Sequence, residues 1–468
     1  MGIKKFIGDK AFYKSVIAIV LPIVLQNGLN NLVNLLDNVM VGALGTEQMS
    51  GTAIVNQLIF IYVLCIFGGT AGAGIFTAQY HGSKNQDGIR YTVRFKIYIS
   101  AVTALVIGLI LAFFSTPLIN LFLHDGSESG DLELALFYAQ QYLKIVIFAQ
   151  IPNTITIIYA STLRETGETV MPMVASLCSV AVNVLLNYLL IFGKLGLPAL
   201  GVEGAAIATV IARCVECAVI VIYTHTHLNR FVFFKHLFSS LKIPKEICIK
   251  LVKKGASLMF NEALWSISQT LLLYCYSIRG LAVVAAMNIN ITFSNLFSIV
   301  FMSLGSAIGI MVGNLLGAGE IEKARDTDNK IMALSLASCI ILGGLMAAFS
   351  PLLVHLYKTT NEVKALAVSM LLICSAFMPV HSLVHNSYFT LRSGGKALLT
   401  FLFDSFFAAF VSVPIAYVLA NFTQMNAVVI YACVLSVDII KAVIGLILIK
   451  KGVWLNNLVK QPTDPLNA

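Results

Sequence analysis

Gly74-Ile-Phe-Thr-Ala-Gln79-Tyr-His-Gly82-Ser83 occurs twice in this chain, in two spellings. At an offset of 235 residues stands Gly309-Ile-Met-Val-Gly-Asn314-Leu-Leu-Gly317-Ala318. A second block, Leu163-Arg164-Glu-Thr-Gly167, aligns with Leu391-Arg392-Ser-Gly-Gly395 at an offset of 228. Two aligned blocks make coincidence a poor explanation. Each block closes an apolar segment, and equivalent segments lie six apart. Six is even, so both halves enter a membrane in the same direction, and the repeat is parallel, with its pseudo-twofold axis along the membrane normal. Such a duplication places a cavity between two lobes that can rock around it, which is the setting for alternating access.

The surroundings demand a membrane. Of 468 residues, 58% are hydrophobic and 11% charged, and the mean hydropathy is +0.87, so a water-soluble fold would lack polar surface. A helix needs about 20 residues to cross the hydrocarbon core. Twelve such spans are expected, starting near Ser15, Thr52, Tyr91, Leu132, Thr169, Gly204, Ile249, Leu281, Asp328, Val363, Ala397 and Ala427. The fold class is therefore an all-α integral membrane protein of two six-helix lobes around a central cavity. Its parts are an N-lobe at 1–226, a basic linker at 227–248, a C-lobe at 249–452 and a tail at 453–468. The first span is too long and too rich in Asn for a cleaved signal peptide, and Met1-Gly-Ile-Lys-Lys-Phe6 lacks the Ser or Thr of a myristoylation site.

Charge orients the spans. With the N-terminus in the cytoplasm, the connections on that side carry 24 of the 31 Lys and Arg, which fits the positive-inside rule and puts both termini of a plasma-membrane protein in the cytoplasm. The net charge of +9 is thus a topology signal, and no nucleic-acid partner is expected. Between His225 and Gly255 seven basic residues interleave with Phe231, Phe233, Phe234 and Phe238, which reads either as a linker lying on the anionic inner leaflet and joining two halves or as a solvated linker.

Polar residues inside the spans mark the cavity. On span 1, Gln26, Asn27, Asn30, Asn31, Asn34, Asp37 and Asn38 fall within an arc of roughly 140° at about 100° per residue, opposite an aliphatic face. An acid in a membrane helix marks a cation or proton site. On span 7, Glu262 shares a face with Ser266 and Gln269. On the 235 offset it corresponds to Asn27, so the lobes place their acids at different depths. Asp404 in span 11 is a third acid, with no basic residue one turn away. Asn288 of span 8 joins the candidate cavity residues. Arg213 with Glu216, and Asp438 with Lys441, are spaced to neutralise each other along one helix. Lys144 is either a counter-ion to Asp37 or a side chain snorkelling to water.

These residues together resemble the multidrug and toxic compound extrusion (MATE) transporters. The resemblance is carried by Leu21-Pro22, Asp37-Asn-Val-Met-Val-Gly42-Ala-Leu-Gly45, Gln79-Tyr-His-Gly82, Leu163-Arg164-Glu-Thr-Gly167, Asn183-Val-Leu-Leu-Asn187-Tyr-Leu-Leu-Ile-Phe-Gly193 and Leu391-Arg392-Ser-Gly-Gly395, and it covers essentially the whole chain. It implies a V-shaped pair of six-helix lobes that exports organic cations and other xenobiotics in exchange for Na⁺ or H⁺, without a cofactor, as a monomer. Asp37 matches the family's span-1 acid and Glu262 the span-7 acid of the NorM-type branch, and either is a candidate for transient Na⁺. Asn187 stands where the DinF-type branch usually has Asp, and Asn183 keeps that branch's Asn. The span-10 acid of the NorM type falls on His381, which is either a ligand or proton site or a hydrogen-bonded packing residue. The mixture fits neither branch and leaves the coupling ion open.

Other classes find less support. No Gly-x-x-x-x-Gly-Lys-[Ser/Thr] loop is present for an ATP-driven pump, since Gly394-Gly-Lys396-Ala lacks both spacing and hydroxyl. No His-Glu-x-x-His helix or positioned nucleophile points to an enzyme. Cys214-Val-Glu-Cys217 lies in an apolar helix without a second ligand pair, and the nine cysteines suggest no disulfide framework. A flippase for a lipid-linked precursor shares the two-lobed plan, but its cavity should be cationic, whereas the unpaired charges here are mainly acidic. A passive channel has no use for buried, asymmetric acids.

Overall fold

The computed structural model describes residues 6–120, 131–357 and 359–460; Met1–Lys5, 121–130, Lys358 and the last eight residues of the tail lie outside the described residues. Twelve long helices carry the chain. In order they are α1 (Lys10–Gly42), α2 (Thr46–Gly82), α3 (Gln86–Phe113), α4 (Leu132–Glu165), α5 (Val170–Phe192), α6 (Gly201–Thr226), α7 (Lys245–Ser277), α8 (Leu281–Gly317), α9 (Ile321–His355), α10 (Asn361–Ser393), α11 (Ala397–Phe422) and α12 (Ala427–Lys450). Eleven of the twelve starts proposed from sequence fall inside one of them, and the twelfth, Thr169, is the N-cap of α5. Eleven are long and apolar enough to cross a membrane, and α7 falls short because its middle carries Asn261, Glu262, Ser266, Ser268, Gln269 and Thr270. No strand occurs among the described residues.

Local chemistry sets the helix ends and irregularities. Asp9 caps α1 by accepting from the Phe12 amide, Asn85 caps α3, Thr360 caps α10 and Asn426 caps α12, each meeting an amide that a helix start leaves unpaired. Pro22 sits inside α1, which continues through it. A proline has no N–H, so the Ala18 carbonyl loses its helical donor. Thr169, at the start of α5, supplies the missing bond from its Oγ1 at 3.2 Å. In α11 the turns Leu402–Phe406 and Ala408–Ser412 are wound as π-helix, a distortion that often accompanies function.

α1–α6 and α7–α12 form the two lobes, which meet through α2 against α7 and α8, and through α1 against α8. The repeated block makes the closest of these crossings. A Cβ added to Gly82 would stand 1.8 Å from the Asn314 carbonyl oxygen, and one added to Gly317 would stand 1.9 Å from the Gln79 carbonyl oxygen. Gly82 and Gly317 are repeat equivalents, and so are Gln79 and Asn314. The contact therefore repeats across the pseudo-twofold, and only glycine permits it. Two bonds repeat with it: Gln79 Nε2 donates to the Ser393 carbonyl at 3.0 Å, and Asn314 Nδ2 to that of Glu165 at 3.5 Å, residues equivalent at the 228 offset. This seam closes the face on which α1 begins and α2 ends, termed the basic face below.

Two further segments cover that face. In the linker, Phe231, Phe233, Phe234 and Leu237 are buried in the N-lobe, joining Phe76, Tyr159 and Leu163, while Phe238 is 60% exposed. Arg94 of α3 pins the linker by donating to the carbonyls of Leu237 and Lys242 at 3.0 Å and of His236 at 3.3 Å. Phe231, Phe233 and Phe234 thus face protein, and Phe238 alone of the four linker phenylalanines faces outward. After α12 a strap, residues 453–459, runs from lobe to lobe. Trp454 is fully buried in the C-lobe, whereas Leu458 and Val459 pack on the N-lobe cluster. Gln79 holds the strap from the other side, its Oε1 accepting from the Leu458 amide at 2.7 Å and its Nε2 donating to the Asn456 carbonyl at 3.1 Å.

Candidate functional site

Two polar clusters lie within the bundle, one in each lobe. In the N-lobe, the polar stripe of α1 faces α5. Asp37 Oδ1 accepts from Asn187 Nδ2 at 2.5 Å, and the same amide reaches Asn183 Oδ1 one turn away at 3.2 Å. Asn183 and Asn187 are buried and Asp37 is half-buried. Toward the basic face, Asn30 Oδ1 accepts from Ser176 at 3.0 Å and Gln26 donates to the Pro172 carbonyl at 3.3 Å. Asn27 is half-buried, whereas Asn31, Asn34 and Asn38 stay exposed along the stripe. Lys144 is exposed on α4 and makes no ion pair with Asp37. Arg213 is paired with Glu216 at 2.8 Å, in line with their i, i+3 spacing.

In the C-lobe, Glu262 Oε1 accepts from the Tyr388 hydroxyl of α10 at 3.0 Å. The glutamate sits at the lobe interface, since a Cβ on Gly68 of α2 would lie 3.5 Å from its Cγ. Nearby, Arg392 bridges the lobes between the rings of Phe67 and Phe389, 5.7 and 5.5 Å from their centroids. Ser266 is half-buried next to this site, and Gln269 and Asn288 are exposed.

Asp404 and His381 are held differently. Lys441 Nζ donates to Asp404 Oδ1 at 2.7 Å, and Asn261 donates to Oδ2 at 3.3 Å. The expected Asp438–Lys441 pair along α12 is therefore not formed: Lys441 turns to α11, and Asp438 faces His381 at 3.5 Å. The i, i+3 spacing allowed the pair, but the π-turn at Leu402–Phe406 brings a carboxylate from another helix within reach.

Sequence reasoning missed three residues. Tyr388 and Asn261 hold the C-lobe acids, and the signal was their position next to known candidates. Asp328, placed at the edge of span 9, is fully buried seven residues inside α9, with Thr390 Oγ1 donating to Oδ1 at 2.5 Å. Among the described residues, no group of three or more His, Cys, Asp or Glu is arranged to hold a metal ion, and no disulfide links the nine cysteines.

Known proteins give this arrangement a context. The family model MatE matches residues 22–189 and 257–418, one stretch in each lobe. The probable multidrug resistance protein YoeA of Bacillus subtilis is 24% identical over 88% of this chain and 88% of its own length. The probable multidrug resistance protein NorM of Thermotoga maritima is 24% identical over 94% and 93%. A solved structure of MATE in the bent conformation superposes with a TM-score of 0.84 over 96% of both chains at 16% identity, a likeness of fold. Two matched lobes, twelve helices and a fold shared from end to end make this chain a member of the MATE family, a family of transporters and not of enzymes.

Proposed function

We propose that the chain is a secondary active antiporter that exports lipophilic organic cations and related xenobiotics in exchange for Na⁺ or H⁺ by alternating access. The names of its relatives, multidrug resistance proteins, support the substrate class. One observation carries the mechanism. Asp37 and Glu262 are half-buried in the bundle and held only by neutral partners, an amide and a phenol. The other carboxylates of the bundle interior differ: Glu165, Glu216 and Asp404 face Lys96, Arg213 and Lys441, Asp438 faces His381, and Asp328 is sealed from solvent. Neither acid forms an ion pair among the described residues, although Arg213 stands near Asp37 and Arg392 near Glu262, and an accessible acid without a direct salt bridge suits an exchangeable cation.

The cycle follows from charge exclusion. With the lobes apart at the basic face, taken as cytoplasmic, a lipophilic cation enters. Aromatic and Met side chains solvate its body, while the carboxylates attract its charge. Once the seam closes and the opposite face opens, Na⁺ or H⁺ neutralises Asp37 or Glu262 and displaces the cation. Asn27, Asn30, Asn34, Asn183, Asn187, Ser266, Gln269, Asn288 and His381 line the path in this reading. The ion pair at Asp404 argues for a supporting role there. The protein works as a monomer in the plasma membrane with both termini cytoplasmic. Efflux of a fluorescent cation from proteoliposomes under a Na⁺ gradient alone, then a pH gradient alone, tests the proposal: one gradient must drive efflux, and efflux under neither rejects antiport.

A further inference from the structure

A cavity of about 530 Å³ opens on the basic face, where α7 leaves the linker. Lys250, Lys253 and Lys254 line it, and none of them is in an ion pair among the described residues. No Asp or Glu contributes to the lining. Lys396, at the start of α11, stands close enough to add its field to that of Lys254. Three ammonium groups around one concavity, without a carboxylate, repel each other until an anion joins them. A tetrahedral oxyanion accepts from several lysines at once, and phosphate is the common one at a membrane surface.

The rim and the walls say more. Ile249 and Val252 on α7 and Leu398 on α11 are exposed beside the lysines, at 45%, 49% and 64%. Apolar side chains next to a basic cavity match a lipid, with acyl chains outside and headgroup within. The walls come from three places: α7 and α11 of the C-lobe, Phe76 of α2 in the N-lobe, and Asn457 and Leu458 of the strap. Asn457 is itself anchored, donating to the Gly317 carbonyl of the seam at 3.2 Å. Separating the lobes at this face would take the cavity apart.

We propose that this cavity binds a phosphate-bearing anion, the headgroup of an anionic lipid or free phosphate, and that the bound anion holds the strap and favours the arrangement closed at the basic face. Binding needs only the geometry above. Its effect on transport rests on the alternating-access reading, because a ligand shifts an equilibrium only by preferring one state.

Hydrogen exchange of residues 453–460 reads the site without measuring transport. The Leu458 amide is protected by Gln79 of the other lobe, so its exchange reports strap release. The full-length protein is compared in nanodiscs of phosphatidylcholine, in nanodiscs mixed with phosphatidylglycerol, and in phosphatidylcholine nanodiscs with millimolar inorganic phosphate. Each lysine near an anionic surface contributes about fivefold in association. The combined Lys250→Gln, Lys253→Gln, Lys254→Gln variant should therefore lose the protection that the anion confers, whereas the matching Arg variant keeps it. Slowing with phosphatidylglycerol alone identifies the lipid, and slowing with phosphate as well identifies a site for the free ion. Equal exchange in all three conditions overturns the proposal, as does slowing that persists in the Gln variant.

Discussion

Gly82→Ala attacks the lobe seam at its tightest point. The added Cβ would stand 1.8 Å from the Asn314 carbonyl, where ordinary contact begins at 3.4 Å, so α2 and α8 must part by about 1.6 Å. The obstacle is backbone, and no side chain can rotate away. Overpacking of this kind costs roughly 1–3 kcal/mol. Because the contact joins the lobes in the closed arrangement, that penalty falls mainly on one state and shifts the balance toward the open one by about 5- to 150-fold. Hydrogen exchange at 453–460 should accelerate accordingly, because Gln79, one turn before Gly82, holds the strap. Gly317→Ala, the repeat equivalent, should act alike. Gly108→Ala, on α3 with no atom within 4 Å of the new Cβ, should leave exchange unchanged. If Gly82→Ala matches Gly108→Ala in exchange and in efflux, the seam is not the closing surface and the reasoning fails.

Other outcomes follow from single contacts. Thr169→Val removes the donor that compensates Pro22 and should lower stability by about 1 kcal/mol; with Pro22→Ala in the background, the Ala18 carbonyl regains a helical N–H and the loss should vanish, a coupling that thermal melts of the double-mutant cycle would show. Arg94→Ala leaves three linker carbonyls without their donor, and trypsin should cut between Arg230 and Lys242 several-fold faster than in the parent. Lys441→Met strands the Asp404 charge and should destabilise by about 3–5 kcal/mol, much of it recovered by adding Asp404→Asn. Equal melting of the single and double variants would show that the pair is immaterial.

Some of this was legible in the chain and some was not, for physical reasons. The duplicated block and the apolar runs carry the two-lobed plan, because burial in lipid constrains every residue of a span. The stripe from Gln26 to Asn38 carries the N-lobe site, because helical periodicity converts spacing into a shared face. Rotation of one helix against another leaves no such trace. Lys441 could face Asp438 along its own helix or Asp404 across to α11, and only packing and the π-turn decide between them. Lys96, near the start of span 3, is fully buried and donates to Ser161, Thr162 and Glu165 of another helix, partners that no spacing along the chain reveals. Asp328 was obscured likewise, since an acid near a span edge is ordinarily solvated. The linker phenylalanines fit a membrane surface and a protein surface equally well by pattern, and the Arg94 anchor that selects protein lies far away in sequence.

The central claim is that exchangeable charge at Asp37 and Glu262 drives transport, and Asp37→Asn and Glu262→Gln test it most directly. Both substitutions keep an oxygen to accept from Asn187 and Tyr388, so the fold should melt within about 1 kcal/mol of the parent while the charge is gone. Ion-driven efflux of a fluorescent cation from proteoliposomes, at matched protein, should fall at least about tenfold in each variant, a loss of about 1.4 kcal/mol or more. Full efflux in both variants would contradict the account.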